Sequence, residues 1–441
     1  MESARLGAAK QLDQLEERRS YVGLGGANSS NNAGDERQIR DIVAGVTRWR
    51  RYLDFIIDSF YTAKSGSLES PLRTVLRMGI YELLFTETPD HAALNEAVDL
   101  AKVHVRKGAA GLTNGILRSV LRKRDHLPIP PKSPLYTHLG ILYSHPDWMV
   151  KRWLDEFGEA KTVALLKHNN ERPTYGVHVF KEEPEIRAAY KEHGGEITAS
   201  TVVKDFFRTT NIQPLLRGGF LERGSVRVQD EAAALVVQGL DPNESDHILD
   251  VCSAPGGKTL YAATLMNNKG RIVAADIHER RLNLVRKSAE ELQLSNVAFQ
   301  AADATDPPAE WINAFDKVLL DAPCTGLGVL SKRADLRWNK TSSDLNQLID
   351  LQKDLLDASG RCVKPGGILV YSTCSIDQEE NMGQVDAFLS RNKNFTLEPM
   401  PSSFPSEFRN RFGCFESLPF NTSIDGAFAA RLRRNTEAGS N

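Results

Sequence analysis

The chain has 441 residues, 41% of them hydrophobic and 25% charged, with 55 Lys plus Arg against 57 Asp plus Glu. That length holds two or three domains of about 100–200 residues, and this much apolar material excludes overall disorder. No run of about 18 apolar residues offers a membrane span, no secretory apolar segment opens the chain, and five cysteines without CxxC spacing make neither a disulfide framework nor a zinc site. Reduced cytoplasm is the expected compartment, with no membrane partner and no metal.

Residues 1–130 read as an all-α bundle. ARLGAAKQLDQLEERRSYVGL has apolar residues at three-and-four spacing, followed by the loop-like SSNNAGDE. Asp35 is positioned to cap the next helix, whose apolar stripe runs through Ile39, Ile42, Val43, Val46, Trp49, Leu53 and Ile56. SPLRTVLRMGIYELLF, HAALNEAVDLAKVHV and LTNGILRSVLRKR continue the helical period, with Pro89 and Asp90 as punctuation. Lys102, Arg106, Lys107, Arg118, Arg122, Lys123 and Arg124 form a basic stripe that fits either phosphate contacts or a solvated helix face. PIPPKSP is a stiff linker. Residues 131–240 mix helix patterns (DWMVKRWLDEFG, EPEIRAAYKEHG) with strand patterns (YGVHVF, FFRTT, GSVRVQ) and read as a small α+β adaptor.

Residues 241–441 alternate strand and helix, the pattern of an open, mostly parallel, doubly wound α/β sheet. LDVCSAPGGKT stands at its first strand-to-helix turn, where Pro255, Gly256 and Gly257 let the backbone approach a ligand. The spacings of a phosphate loop and of a dinucleotide fingerprint are both absent. The next three strands end in Asp276, Asp303 and Asp321. A glycine turn followed by strand-end acids suits an adenosine-bearing ligand without a bound phosphate, which points to S-adenosyl-L-methionine. Cys324 follows the fourth strand and Cys374 the fifth, and neighbouring strands would bring both thiols to one substrate. A thiol beside a methyl donor suits methylation at pyrimidine carbon 5: a thiolate adds to carbon 6, and Asp321 acts at ring nitrogen 3. Cys362 and Cys252 read as core residues, and Cys414 is left without a place.

LDVCSAPGGKT, AADIHERRL, LLDAPCTGLG and YSTCSIDQEEN, preceded by SHPDWMVKRW and VQDEAAALV, resemble the motifs of NOP2/Sun-type RNA 5-methylcytosine methyltransferases. The resemblance implies Cys374 as the nucleophile and Cys324 as the residue of product release. It implies a donor site of Cys252, Ser253, Ala254, Pro255, Gly256, Gly257, Lys258, Asp276, Asp303 and Asp321, with Arg281 supporting the loop or Asp276. Ser253 replaces the commoner alanine of that motif, a small change. GVTRWRRYLDF, RMGIYELLF and PDHAALNEAVDLAK resemble the NusB-type RNA-binding helical domain. Together they imply a methyltransferase acting on small-subunit ribosomal RNA, naked or partly assembled, and not on DNA.

Three other readings stand beside this one. The substrate can instead be transfer RNA, or the chain can be a non-catalytic RNA-binding or assembly factor. In DNA cytosine-5 methyltransferases the nucleophile follows the fourth strand, where Pro323-Cys324 stands here, which would exchange the two thiol roles. Trp49, Trp148, Trp153 and Trp311 read as core or half-buried residues, while Trp338 in KRADLRW is the best candidate to stack a base, with Lys332, Arg333 and Arg337 on the RNA backbone. His145 and His168 read as structural, and DQEEN after Cys374 as a solvated first helical turn.

Overall fold

The computed structural model describes residues 3–18, 33–61 and 68–436. Its helices and strands, in chain order, are α1 (Ala4–Arg18), α2 (Ala33–Phe60), α3 (Ser70–Phe85), α4 (Asp90–Leu100), α5 (Ala109–Arg122), α6 (Leu135–Leu142), α7 (Asp147–Asn170), β1 (Tyr175–Val179), α8 (Glu183–His193), β2 (Thr198–Ala199), β3 (Phe206–Thr209), α9 (Gln213–Arg217), β4 (Val226–Val228), α10 (Glu231–Leu240), β5 (His247–Asp250), α11 (Gly257–Leu265), β6 (Arg271–Asp276), α12 (Glu279–Glu291), β7 (Val297–Ala301), β8 (Phe315–Asp321), α13 (Leu336–Asn339), α14 (Ser342–Cys362), β9 (Val363–Thr373), α15 (Met382–Arg391), β10 (Phe395–Glu398), β11 (Phe415–Ser417) and β12 (Ala427–Arg434). They gather into two compact units, Met1–Glu171 with Leu330–Thr341, and Arg172–Val329 with Ser342–Asn441. No helix of the described residues is long and apolar enough to cross a membrane.

The first unit is a helical bundle in which α2 buries one apolar stripe while α3, buried at every position from Thr74 to Ile80, runs through the interior. Ile39, Ile42, Val43, Val46, Leu53, Ile56 and Ile57 of α2 are buried against α1 and against Val75, Leu76, Met78 and Ile80 of α3. Asp35 lies inside the first turn of α2 with Glu36, not at its cap; there both acids still meet the positive end of the helix dipole. Residues 29–32 of the SSNNAGDE loop lie outside the described residues, as does the stretch 19–24 assigned to the first helix. The basic stripe from Lys102 to Arg124 is exposed, partly paired through Lys102–Asp99, Arg106–Glu69 and Arg124–Asp90.

The segment Leu330–Thr341 packs with this first unit, and Arg337 explains why. Its guanidinium is fully buried and donates to the carbonyls of Arg48 (3.1 Å), Ser144 (3.2 Å) and Asn169 (2.5 Å) and to Asn170 Oδ1 (2.8 Å). Burial, with Arg48 nearby, pushes its pKa well down. Trp338 Nε1 donates to the Thr47 carbonyl at 2.7 Å, with the Arg50 guanidinium 5.6 Å from its ring. The expected grip of Arg337 on an RNA backbone is therefore corrected: this arginine holds protein carbonyls, and Trp338 is pinned beside it. Four acceptors around one planar fork need an arginine; a lysine reaches fewer of them. Arg337→Lys is expected to cost about 2–4 kcal/mol, read as an earlier urea-unfolding transition of the full chain; an unchanged midpoint contradicts this account.

The second unit contains two sheets. The smaller is antiparallel, in the order β2-β3-β1-β4. The larger runs β10-β12-β9-β8-β5-β6-β7, with β11 on β12. From β9 to β7 its strands are parallel, whereas β12 runs antiparallel to β9, β10 and β11. Parallel strands buried on both faces read as continuous apolar runs, and Val318, Leu319 and Leu320 of β8 and Leu369, Val370 and Tyr371 of β9 are essentially inaccessible. All the parallel strands deliver their carboxyl ends to one edge of the sheet, where the strand-end acids and both motif cysteines lie.

His178 of β1 is buried, stacked on Phe206 with ring centroids 4.5 Å apart, and its Nδ1 has no hydrogen-bond partner. Burial, with Arg227 nearby, lowers its pKa to about 4. The unfolded imidazole, titrating near 6.5, binds a proton that the folded one refuses. Stability is therefore lost as pH falls from about 6.5 to 4, by about 3 kcal/mol from this group. Urea titrations of His178→Phe should show that much less loss across this window; curves parallel to those of the unmutated chain contradict the assignment.

Candidate active site

The first parallel strand, β5, ends in Asp250, and the chain turns through Cys252–Lys258 into α11. Gly256 adopts φ +100°, and a Cβ there would lie 2.6 Å from Val285 Cγ1, so only glycine makes this turn. Arg281 on α12 holds the turn from outside: Nη2 donates to the Ala254 carbonyl at 2.8 Å, and Nη1 lies 3.3 Å from Asp276 Oδ2. One arginine thus ties the loop to the acid ending β6. Asp276 is nearly inaccessible and also accepts the His278 amide at 2.9 Å. Asp303 stands apart, exposed beyond the end of β7; hydrogen bonds from the Thr305 hydroxyl and amide lower its pKa.

Lys258 Nζ is 2.7 Å from Asp321 Oδ2, while Ser372 Oγ donates to Asp321 Oδ1 at 2.9 Å. Despite its burial, the Lys258 pKa is raised, by Asp321 and by Cys374. At the end of β5, burial lifts the Asp250 carboxyl to about 7, although Thr259 donates to it at 2.6 Å. The Cys252 thiol is pushed up by burial and by the carboxylates of Asp250, Asp321 and Asp276, so it stays protonated. Cys252 is half-buried rather than part of the core.

Pairing of β8 with β9 in parallel sets Asp321 opposite Ser372. The loops beyond both strands then meet, and Cys324 Sγ lies 3.2 Å from Cys374 Sγ. Cys374 is exposed and Cys324 half-buried. The contact with Cys374, then burial, raises the Cys324 pKa well above the ordinary thiol range. Cys362 and Cys414 are buried away from this pair; burial pushes their thiols up to about 11 and about 12. Cys414, left without a place by the sequence, packs in the core beneath β12 just ahead of β11.

Two features escaped the sequence reading. DQEEN is not a solvated helical turn: it precedes α15, and Asp377, Glu380 and Asn381 within it are at most 2% exposed. Glu380 accepts the Thr325 amide at 2.8 Å and Gln352 Nε2 at 3.0 Å, and Asn381 Nδ2 donates to the Ser375 carbonyl at 3.0 Å. Gln229 is buried with both amide atoms unpartnered, and a Cβ on Gly257 would lie 3.2 Å from its Cδ. Its place directly before Asp230, which caps α10 by accepting the Ala232 amide at 2.9 Å, was the available signal.

A family model described as 16S rRNA methyltransferase RsmB/F matches residues 237–433, and a NusB family model matches residues 2–122. The probable ribosomal RNA small subunit methyltransferase B of Bacillus subtilis is 31% identical, covering 97% of this chain and 98% of the relative. The protein of the same description from Synechocystis is 34% identical over 91% of each chain. The crystal structure of PH0851 superposes with a TM-score of 0.77 at 27% identity, covering 92% of each chain. NSun6 from Pyrococcus horikoshii with SFG shares the fold at a TM-score of 0.58 and 22% identity, over 67% of this chain and all of that one.

S-adenosyl-L-methionine is the cofactor of this methyltransferase region. The residues present fit it. Ser253 Oγ and the Gln229 amide are buried without partners beside the glycine turn, and α11 offers the free amides of a helix start to an anionic group. The acids at the ends of β6 and β7 are acceptors suited to hydroxyl and amino groups. Arg281→Ala should free both the Ala254 carbonyl and Asp276 and weaken donor binding by about tenfold, close to 1.4 kcal/mol; calorimetry with S-adenosylhomocysteine giving an unchanged Kd contradicts this.

Proposed function

The chain belongs to the RsmB/F family of 16S rRNA methyltransferases, and we propose that it methylates carbon 5 of a cytosine in small-subunit ribosomal RNA through a covalent Cys374 adduct. The observation that carries this reading is the 3.2 Å spacing of Cys324 Sγ and Cys374 Sγ beside the Lys258–Asp321 pair. A single thiol would serve addition alone; two thiols at one point serve addition and release.

The exposed Cys374 thiolate adds to carbon 6 of the ring, and the electrons of the carbon 5–carbon 6 bond move into the ring. Lys258 carries a proton that the Asp321 carboxyl passes to nitrogen 3, keeping the ring neutral. Carbon 5 is then nucleophilic. When bound, S-adenosylmethionine supplies an electrophilic methyl group, which carbon 5 takes. Water takes the carbon 5 proton, the carbon 5–carbon 6 double bond re-forms as the carbon 6–sulfur bond breaks, Cys374 leaves as thiolate, and nitrogen 3 gives its proton back through Asp321 to Lys258. Cys324, the sulfur nearest to Cys374, assists this release. Its raised pKa suits a group that stays a thiol while Cys374 attacks. The donor is held by Cys252–Lys258, Asp276, Asp303 and Asp321, with Arg281 behind the loop.

The target cytosine must leave its stack to reach two thiols at a sheet edge, which favours a loop or a partly assembled ribosomal RNA over DNA duplex. The exposed basic residues Lys102, Arg106, Lys107, Arg118, Arg122 and Lys123 serve as phosphate contacts. The proposed division of labour is a helical RNA-binding part over 1–130, an adaptor over 131–240 and a catalytic part over 241–441, working in the cytoplasm.

Incubation of Cys374→Ala and Cys324→Ala with donor and ribosomal RNA tests the proposal. Cys374→Ala should lose methylation and the covalent protein–RNA band by at least about 10³-fold, while Cys324→Ala should accumulate the band. A band lost in Cys324→Ala and kept in Cys374→Ala reverses the roles. Methylation of transfer RNA alone moves the substrate, and no methylation of any RNA by the unmutated chain overturns the enzyme reading.

A further inference from the structure

The two cysteines sit on separate loops, and nothing in the pairing of β8 with β9 fixes how far those loops bend. The residues beside them are what is held. Pro323 gives its carbonyl to Gln352 Nε2 at 2.8 Å, and the same Nε2 reaches Glu380 Oε1 at 3.0 Å. Thr325, next to Cys324, gives its amide to Glu380 Oε1 at 2.8 Å and its hydroxyl to Glu380 Oε2. The Thr325 hydroxyl also lies 3.3 Å from Ser375 Oγ, next to Cys374. On the other side of Cys374, the Thr373 hydroxyl donates to Asn381 Oδ1 at 2.5 Å. The Glu380 carbonyl accepts the Tyr371 hydroxyl at 2.6 Å, which fixes Glu380 to β9 itself. Glu380, Thr325 and Ser375 are completely inaccessible.

We infer that Glu380 is a positioning residue that sets the distance between Cys324 and Cys374 by bracing the loops on which they stand. The inference rests on the two-thiol site proposed above. The chemistry calls for a carboxylate. Four donors, the Ser375 hydroxyl, the Thr325 amide, the Thr325 hydroxyl and the Gln352 amide, converge on its two oxygens. A carboxylate accepts from all of them, whereas the amide of a glutamine presents two hydrogens to at least one of them. One buried donor is then left unpaired or the loop moves to find water. A shift of about 1 Å is enough to separate sulfurs that now touch, and misplacement on that scale costs about 10²-fold in a reaction needing both groups.

The spacing can be read without the methylation reaction. Diamide, an azo oxidant, joins two nearby thiols: the sulfur–sulfur bond forms, and both electrons and both protons pass to the azo nitrogens, giving the hydrazine. Mass spectrometry of the digested full chain then follows the Cys324–Cys374 disulfide over time. The unmutated chain should couple this pair readily. Glu380→Gln should slow coupling by about tenfold or more and lower kcat, while its Kd for S-adenosylhomocysteine stays within about twofold. Gln352→Met, which removes only one arm of the brace, serves if Glu380→Gln fails to fold, and should slow coupling less. Coupling within twofold of the unmutated rate in both variants overturns the inference, as does failure of the unmutated pair to couple. Absence of RNA methylation by the unmutated chain overturns the functional reading instead, and leaves the coupling rates to decide the brace.

Discussion

The parallel pairing of β8 with β9, with Asp321 opposite Ser372, is the constraint from which the site follows. Parallel strands end at the same edge of a sheet, so the loops beyond them share one space. Ser372 Oγ donates across this register to Asp321, which also takes Lys258 from the neighbouring β5–α11 turn. Sliding β9 by one residue would break the Ser372–Asp321 bond and carry Cys374 away from Cys324. The register thus brings the two loops to one place, and the hydrogen bonds around Glu380 hold their bends.

Around that register the chemistry divides by accessibility. Cys374 meets solvent, while Cys324 is half-buried and held as a thiol by its neighbour. Asp250 lies beneath the glycine turn, where burial lifts its carboxyl to about 7; Asp303 lies outside, where Thr305 draws its pKa down. Carboxyl groups at the ends of two strands of one sheet thus shift in opposite directions, because Asp250 is desolvated while Asp303 is exposed and hydrogen-bonded by Thr305.

The same principle of buried polar groups explains two places where, among the described residues, charge sits fully buried. Arg337 in the first unit is surrounded by carbonyls, and Glu380 in the second by amides and hydroxyls. Each collects neutral partners from segments distant in sequence. Such a group is costly unless its partners are all in place, so each specifies one arrangement of several loops.

Much of this was legible in the amino-acid order. Helical spacing in α2, the alternation of strand and helix after residue 241, the glycine turn, the strand-end acids and the cysteines after the fourth and fifth strands are all local patterns, dictated by the periods of helix and strand and by the backbone demands of Gly256. What the order of residues left undetermined was the partner of each polar side chain. DQEEN has the composition of a solvated turn and KRADLRW that of an RNA-facing loop, yet Glu380 and Arg337 are buried. Glu380 finds Thr325 55 positions away, and Arg337 finds Asn169 168 positions away. Periodicity fixes which face a residue occupies within its own element; which donor meets which acceptor is decided only when tertiary packing brings distant segments within 3 Å and removes the water that would otherwise satisfy them.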